Sequence, residues 1–108
     1  MKQPIRVFVE YKINDKAKKG YEQLMPSLLN TLSEEGATNI EWFEAADQPL
    51  LYVEMFEVST LSHYRRLKQL RQTKIHPDFQ QLDPMIAGGL SKLHCWAFQR
   101  KETGGESS

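Results

Sequence analysis

The sequence predicts an α+β domain in which four strands and two helices follow one another as βαββαβ. Three observations carry this prediction: two amphipathic helical stretches, each entered from an apolar strand; a turn-marked hairpin between them; and a closing strand rich in aromatic residues. The 108 residues suit a single domain. We place it over residues 1–100, leaving 101–108 as a polar, flexible tail with no apolar content to bury.

Residues 5–13 alternate with period two, with Ile5, Val7, Val9, Tyr11 and Ile13 on one face and Arg6, Phe8, Glu10 and Lys12 on the other. Asn14 or Asp15 offers a side-chain oxygen to the open amides of a helix start. Tyr21, Leu24, Leu28 and Leu32, with Met25 and Leu29, then recur at helical spacing until Gly36 supplies a left-handed stop. A first helix over residues 15–35 follows, with a kink near Gln23 or a break, because Pro26 removes a backbone donor and crowds the preceding turn.

Residues 38–45 form the second strand, with Ile40 and Trp42 on one face and Phe43 on the other. Ala46-Asp47-Gln48-Pro49 turns the chain into a third strand over residues 50–58. Leu50, Tyr52, Phe56 and Val58 share one face of it, and Leu51, Val53 and Met55 the other, so both faces need cover. Ser59 or Thr60 caps a second helix, with Leu61, Tyr64, Leu67 and Leu70 inward and Arg65, Arg66, Lys68 and Arg71 outward. Pro77 opens a further short helix to about residue 85, which Gly88-Gly89 ends. The fourth strand spans residues 93–99, with His94, Trp96 and Phe98 on one face and Leu93, Cys95 and Ala97 on the other.

Right-handed crossovers place both helices on one face of a four-stranded antiparallel sheet, the ferredoxin-like arrangement. The other face would carry, depending on register, Phe8, Trp42, Trp96 and Phe98, an aromatic patch too large for water. Sheet-to-sheet pairing into a homodimer is the simplest cover.

Fourteen basic residues balance fourteen acidic ones, so no global field draws in nucleic acid or an anionic membrane. The run from Arg65 to Arg71 reads as the wet side of a helix rather than a nucleic-acid surface. No apolar run approaches the roughly 20 residues of a membrane span, and the first residues lack the apolar stretch of a signal peptide. With a single cysteine, Cys95, no internal disulfide or cysteine metal cluster forms, and a cytoplasmic protein is expected.

The element order resembles the dimeric α+β barrel superfamily, and within it the antibiotic-biosynthesis monooxygenase branch. Phe56-Glu57-Val58 leading into a Ser59-capped helix, the later Ile75-His76-Pro77-Asp78-Phe79 and the closing aromatic strand carry the likeness, over residues 5–99. The resemblance implies a pocket between helices and sheet. It also implies a cofactor-independent monooxygenase acting on an aromatic or quinone-like small molecule, or else a non-catalytic dimeric module for small-molecule binding or interaction. No metal or organic cofactor is then expected. Haem-degrading members join an asparagine on the first strand, a tryptophan on the second helix and a later iron-ligating histidine. Here only His76 matches, because residues 5–13 contain no asparagine and Tyr64 stands where the tryptophan would be sought. Haem is therefore the last of these readings.

The residues that could carry chemistry are few. His76 is either a general base or iron ligand, or a loop residue that bonds locally before Pro77. His94 is either desolvated among aromatics and poised for proton transfer, or part of a dimer interface. His63 reads as a solvated helix residue. Tyr64 joins His76 and His94 as a catalytic candidate. Tyr21 and Tyr52, facing the helix–sheet layer, either orient an aromatic substrate through their hydroxyls or pack the core. Glu54 shares the Tyr52 face and is either a buried base or an ordinary strand-edge carboxylate. Cys95, among large apolar residues, reads as a buried hydrophobe.

Overall fold

The computed structural model describes residues 3–102. The tail expected at 101–108 therefore lies outside the described residues from 103 onward. Four strands, β1 (Ile5–Lys12), β2 (Thr38–Glu44), β3 (Leu51–Val58) and β4 (His94–Phe98), form one antiparallel sheet in the order β2-β3-β1-β4. Helix α1 (Lys18–Glu34) follows β1, and α2 (Leu61–Gln72) follows β3. This is the βαββαβ fold that the element order predicts.

Alternation decides which side chains meet the helices. Ile5, Val7, Val9 and Tyr11 of β1 are buried against them, as are Tyr52, Glu54, Phe56 and Val58 of β3. The antiparallel register sets Val7 opposite Phe56, Val9 opposite Glu54 and Tyr11 opposite Tyr52. On α1, Tyr21, Met25, Leu28 and Leu32 form the buried stripe. The helix runs unbroken through Pro26, whose flanking buried residues supply packing that outweighs one missing donor. It starts later than the sequence suggests. A 3-10 helix, Asp15–Ala17, precedes it, and no side-chain cap is made by Asn14, whose amide instead reaches the Pro84 carbonyl at 3.4 Å. It ends at Gly36 (φ 96°), where Ala37 N–H donates to Leu32 and Gly36 N–H to Ser33, pairing the last carbonyls as a Schellman motif does.

Three further departures follow from register and packing. A bulge between Thr38 and Glu41, with Asn39 at φ 52°, sets Trp42 opposite Glu54 and so on the helix side of the sheet. The open face is built instead by Phe8, Phe43, Trp96 and Phe98. Leu50 (φ 73°) belongs to the hairpin turn, not to β3. In α2, Thr60 and not Ser59 is the cap, its hydroxyl oxygen accepting from His63 N–H at 3.1 Å, but Leu61 is exposed and Arg71 is 1% exposed, pointing inward below Leu67. The helical spacing from Leu67 to Arg71 places both on one face.

Between α2 and β4 the chain closes the floor of the core. A 3-10 helix, Phe79–Leu82, takes the place of the longer helix expected after Pro77, and buries Phe79 and Leu82. Ile86 bridges to Ile13, and Leu90, in a second 3-10 helix (Leu90–Lys92), packs beneath. Asp83 accepts the Leu90 N–H at 3.0 Å and holds this loop closed.

Candidate functional site

Period-two alternation sends Glu54 from the middle of β3 into the helix–sheet layer, where it is wholly buried. A carboxylate there must find donors or lose several kcal/mol, of the order of 1–3 per unmet hydrogen bond and more for a charge. Arg71 supplies them from α2: Nη1 donates to one Glu54 oxygen at 2.5 Å and Nη2 to the other at 2.7 Å, a two-pronged pair. Tyr11 donates to the same carboxylate at 2.5 Å.

From Glu54 the bonding runs outward with a fixed sense. The single Tyr11 proton goes to Glu54, so the 2.7 Å contact between the Tyr11 and Tyr21 oxygens must use the proton of Tyr21. Trp42 then donates its indole N–H to the Tyr21 oxygen at 2.9 Å. The order is Trp42 to Tyr21 to Tyr11 to Glu54, with Arg71 behind the carboxylate. Burial, aided by the Glu54 charge, pushes the Tyr11 phenol well above its ordinary value; burial also raises Tyr21, so both keep their protons at any physiological pH.

At the outer end the aromatic rings meet solvent and charge. Trp42 and Tyr52 stack with ring centres 6.2 Å apart, and Tyr21 lies 4.5 Å from Tyr52. The Tyr52 hydroxyl donates to Glu22 at 2.5 Å and accepts from Lys18 at 3.1 Å. Lys18 also bonds Glu44 at 2.8 Å, and this bond holds the ammonium above its usual range and the Glu44 carboxyl below its own. The start of α1 and the β2–β3 hairpin are thereby clasped over the aromatic pair.

Behind Arg71, the Phe79 ring lies 4.8 Å from the guanidinium carbon. Its Nε is buried without a protein partner among the described residues. Burial disfavours the charged guanidinium, but the Glu54 charge and hydrogen bonds overturn that cost and leave its pKa raised.

The structure thus brings Tyr21, Tyr52 and Glu54 together and separates the other three candidates from them. His94 lies on the opposite face of the sheet, exposed and stacked on Trp96 at 5.4 Å. Tyr64 donates to the Cys95 carbonyl at 3.1 Å, a link between α2 and β4. His76 sits in the loop after α2 with its ring 4.6 Å from that of Phe79. Its Nδ1 accepts the Asp78 N–H at 3.1 Å and its Nε2 lies 3.6 Å from the Glu35 carboxylate. Nδ1 is thus taken up by a local bond within the loop. His63 is not a solvated helix residue: Nε2 bonds the Glu35 carbonyl at 2.7 Å and the ring packs on Gly36. Burial pushes the Cys95 thiol up to about 11, in keeping with a packing role.

Sequence reading missed Arg71, Tyr11 and Trp42 as members of this group. The available signal was the Leu67–Arg71 spacing, which sets an arginine on the inward stripe of α2, together with a glutamate on the inward face of β3. The open face, on the far side of the sheet from Glu54, carries a cavity of about 550 Å³ lined by Arg6, Phe8, Glu57, Trp96, Phe98 and Arg100, among others. No helix among the described residues is long and apolar enough to cross a membrane.

No family model matches the chain, and no curated protein matches it in sequence. Solved structures do match it in shape. A Bordetella bronchiseptica protein provisionally assigned as an antibiotic biosynthesis monooxygenase superposes with a TM-score of 0.73 at 11% identity, covering 94% of this chain and 100% of its own. SnoaB, a cofactor-independent oxygenase from Streptomyces nogalater crystallised as a point mutant, gives 0.69 at 14% identity, covering 96% and 99%. A conserved Methanosarcina mazei protein gives 0.66 at 18% identity, covering 92% and 94%. The likeness is one of fold: this chain has the ferredoxin-like α+β fold of the antibiotic-biosynthesis monooxygenase type.

Proposed function

We propose that the chain is a cofactor-independent monooxygenase of an electron-rich phenolic or quinone-forming small molecule, working as a homodimer joined through the open sheet faces. The observation that carries the reading is the buried group Arg71–Glu54–Tyr11–Tyr21–Trp42 in an otherwise apolar layer. A buried ion pair is commonly matched or bettered in stability by well-packed hydrophobic residues, so stability alone does not explain keeping one here. Polar groups held this way cluster at working sites.

The outer end of the group suits an aromatic ligand. Trp42, half-buried and stacked from within by Tyr52, offers an aromatic ring, and Lys18, held by the Tyr52 hydroxyl, a cation that favours the phenolate of a bound phenol. A phenolate is rich enough in electrons to reduce dioxygen itself. One oxygen atom enters the ring para to the hydroxyl; the other leaves as water with the two hydrogens lost as phenol becomes quinone. Trp42 and Lys18 would touch the substrate, while the buried Tyr52, Tyr21, Tyr11, Glu54 and Arg71 position them. SnoaB, of the same fold, is an oxygenase without a cofactor, which supports the reaction class. His94 falls to the dimer face, and His76 and Tyr64 to loop and helix anchoring.

The test is oxygen uptake and quinone absorbance with a panel of naphthols, dihydroxynaphthalenes and anthrones, with and without protein. Turnover that falls at least about tenfold in Trp42→Ala, the scale of a lost aromatic contact to the substrate, supports the reading. Neither binding nor turnover across the panel would reject it. A second reading, a binding module without catalysis, is favoured by the side chains that fill the layer, with Tyr11, Tyr21, Tyr52 and Phe79 all buried. Saturable binding by equilibrium dialysis with no oxygen consumed would select it.

A further inference from the structure

We propose that Trp42, Tyr52 and Glu22 form a one-electron relay that carries oxidising equivalents from the protein surface to a shielded tyrosyl radical on Tyr52. The inference goes beyond the oxygenase reading and does not rest on it, because the oxidant comes from solution.

Four redox-active rings sit in one contiguous cluster. Tyr11 and Tyr21 have centres 5.8 Å apart, Tyr21 and Trp42 5.9 Å, Tyr21 and Tyr52 4.5 Å, and Trp42 and Tyr52 6.2 Å in near-parallel stacking at 21°. Neighbouring rings in contact exchange an electron readily, so the site where a hole settles is decided by where a proton can go. An oxidised phenol is stable only as the neutral radical, which requires an acceptor for its hydroxyl proton.

The two ends of the cluster differ in this respect. At the inner end, Tyr11 faces Glu54, but that carboxylate is held by both Nη atoms of Arg71 in a dry layer. Protonating it would leave a buried guanidinium without its counter-charge, which is strongly unfavourable. Tyr21 can pass its proton only to Tyr11 and meets the same obstacle. At the outer end, the Tyr52 hydroxyl donates at 2.5 Å to Glu22, a carboxylate 42% exposed that can hand the proton to water. The Tyr52 ring is itself buried, as a radical needs to be if it is to escape dimerisation and reduction by solutes. Trp42 is half-buried and so within reach of solvent, and its N–H is bonded to a neutral phenol oxygen, so its radical cation keeps its proton.

The sequence of steps balances. A one-electron oxidant of the peroxyl-radical class, or a photogenerated metal complex, takes one electron from Trp42. The Trp42 radical cation takes one electron from Tyr52 as the Tyr52 hydroxyl proton moves to the Glu22 carboxylate. The products are neutral Trp42, the Tyr52 phenoxyl radical and protonated Glu22, which then loses its proton to water.

The experiment uses the full chain and flash-generated tris(bipyridine)ruthenium(III), with transient absorption for tryptophan and tyrosine radicals and freeze-quench electron paramagnetic resonance. The wild-type chain is expected to show a tryptophan radical that decays in step with the rise of a tyrosyl radical. Trp42→Phe and Tyr52→Phe should each lose that transfer phase, whereas Trp96→Phe, on the opposite sheet face, should keep it. Glu22→Gln, a surface change whose fold is checked by circular dichroism, should slow the phase and alter its solvent deuterium isotope effect. Retention of the phase in both Trp42→Phe and Tyr52→Phe, or an unchanged rate and isotope effect in Glu22→Gln, overturns the proposal.

Discussion

Arg71 and Glu54 show how two charged residues can each depend on the other for a place in the interior. Alone, either would be driven to water; together they satisfy both carboxylate oxygens and two guanidinium nitrogens. Removing one partner should therefore cost far more than removing both. Arg71→Met is expected to destabilise the fold by about 3–5 kcal/mol, while Glu54→Leu combined with Arg71→Met recovers part of that loss, the Tyr11 hydroxyl being left without its acceptor. Urea denaturation midpoints of the single and double variants check this, and equal loss in both would refute the coupling. Alternation puts Glu54 on the Tyr52 face of β3 and leaves open whether it is a buried base or a strand-edge carboxylate, and Arg71 is read as outward, because charged residues of an amphipathic helix usually stay wet. That rule fails where a distant strand presents the matching charge.

At the scale of elements, loops are held by carboxylates at their turns. Glu44 bonds Lys18 and accepts the Leu50 N–H at 3.0 Å, and its carboxyl is held below the ordinary range by these donors. Asp83 is lowered in the same way, first by the Leu90 N–H and then by Lys74. A lowered folded-state pKa means that the stability it contributes is complete above the ordinary carboxylate value, near about 4, and is lost as pH falls through the lowered one. The melting temperature should thus decline below about pH 4, with a smaller decline in Asp83→Asn; an identical acid profile in that variant would sink the assignment. Elements with strong local signals were legible: β1 from its alternation, the start of α2 from the Ser59-Thr60 hydroxyls, of which Thr60 caps, and the end of α1 from Gly36. The bulge in β2 was not, since nothing in residues 38–41 fixes which strand partner they will meet.

Across the whole molecule, the sheet divides two kinds of surface. Its helix side is closed over a core and a polar group; its other side leaves Phe43, Trp96 and Phe98 exposed, Phe98 by 52%. An apolar face of this kind marks an interaction site, and a second copy of the same face is the occupant proposed above. Light scattering at micromolar concentration should give twice the chain mass for the wild type and the chain mass for Phe98→Glu, which places a charge on the joined faces. A monomeric wild type would contradict the pairing.

The amino-acid sequence by itself determined the order of elements, the two-sided apolar sheet and the balance of charge, because periodicity, turn residues and composition act over a few neighbours at a time. Only the tertiary structure decided that Arg71 turns inward, that Trp42 faces the helices, and that His76 and His94 stand apart from the tyrosines. Those outcomes rest on strand register and on pairing between positions far apart in the chain, where one side chain's burial depends on the charge or donor that another brings to meet it.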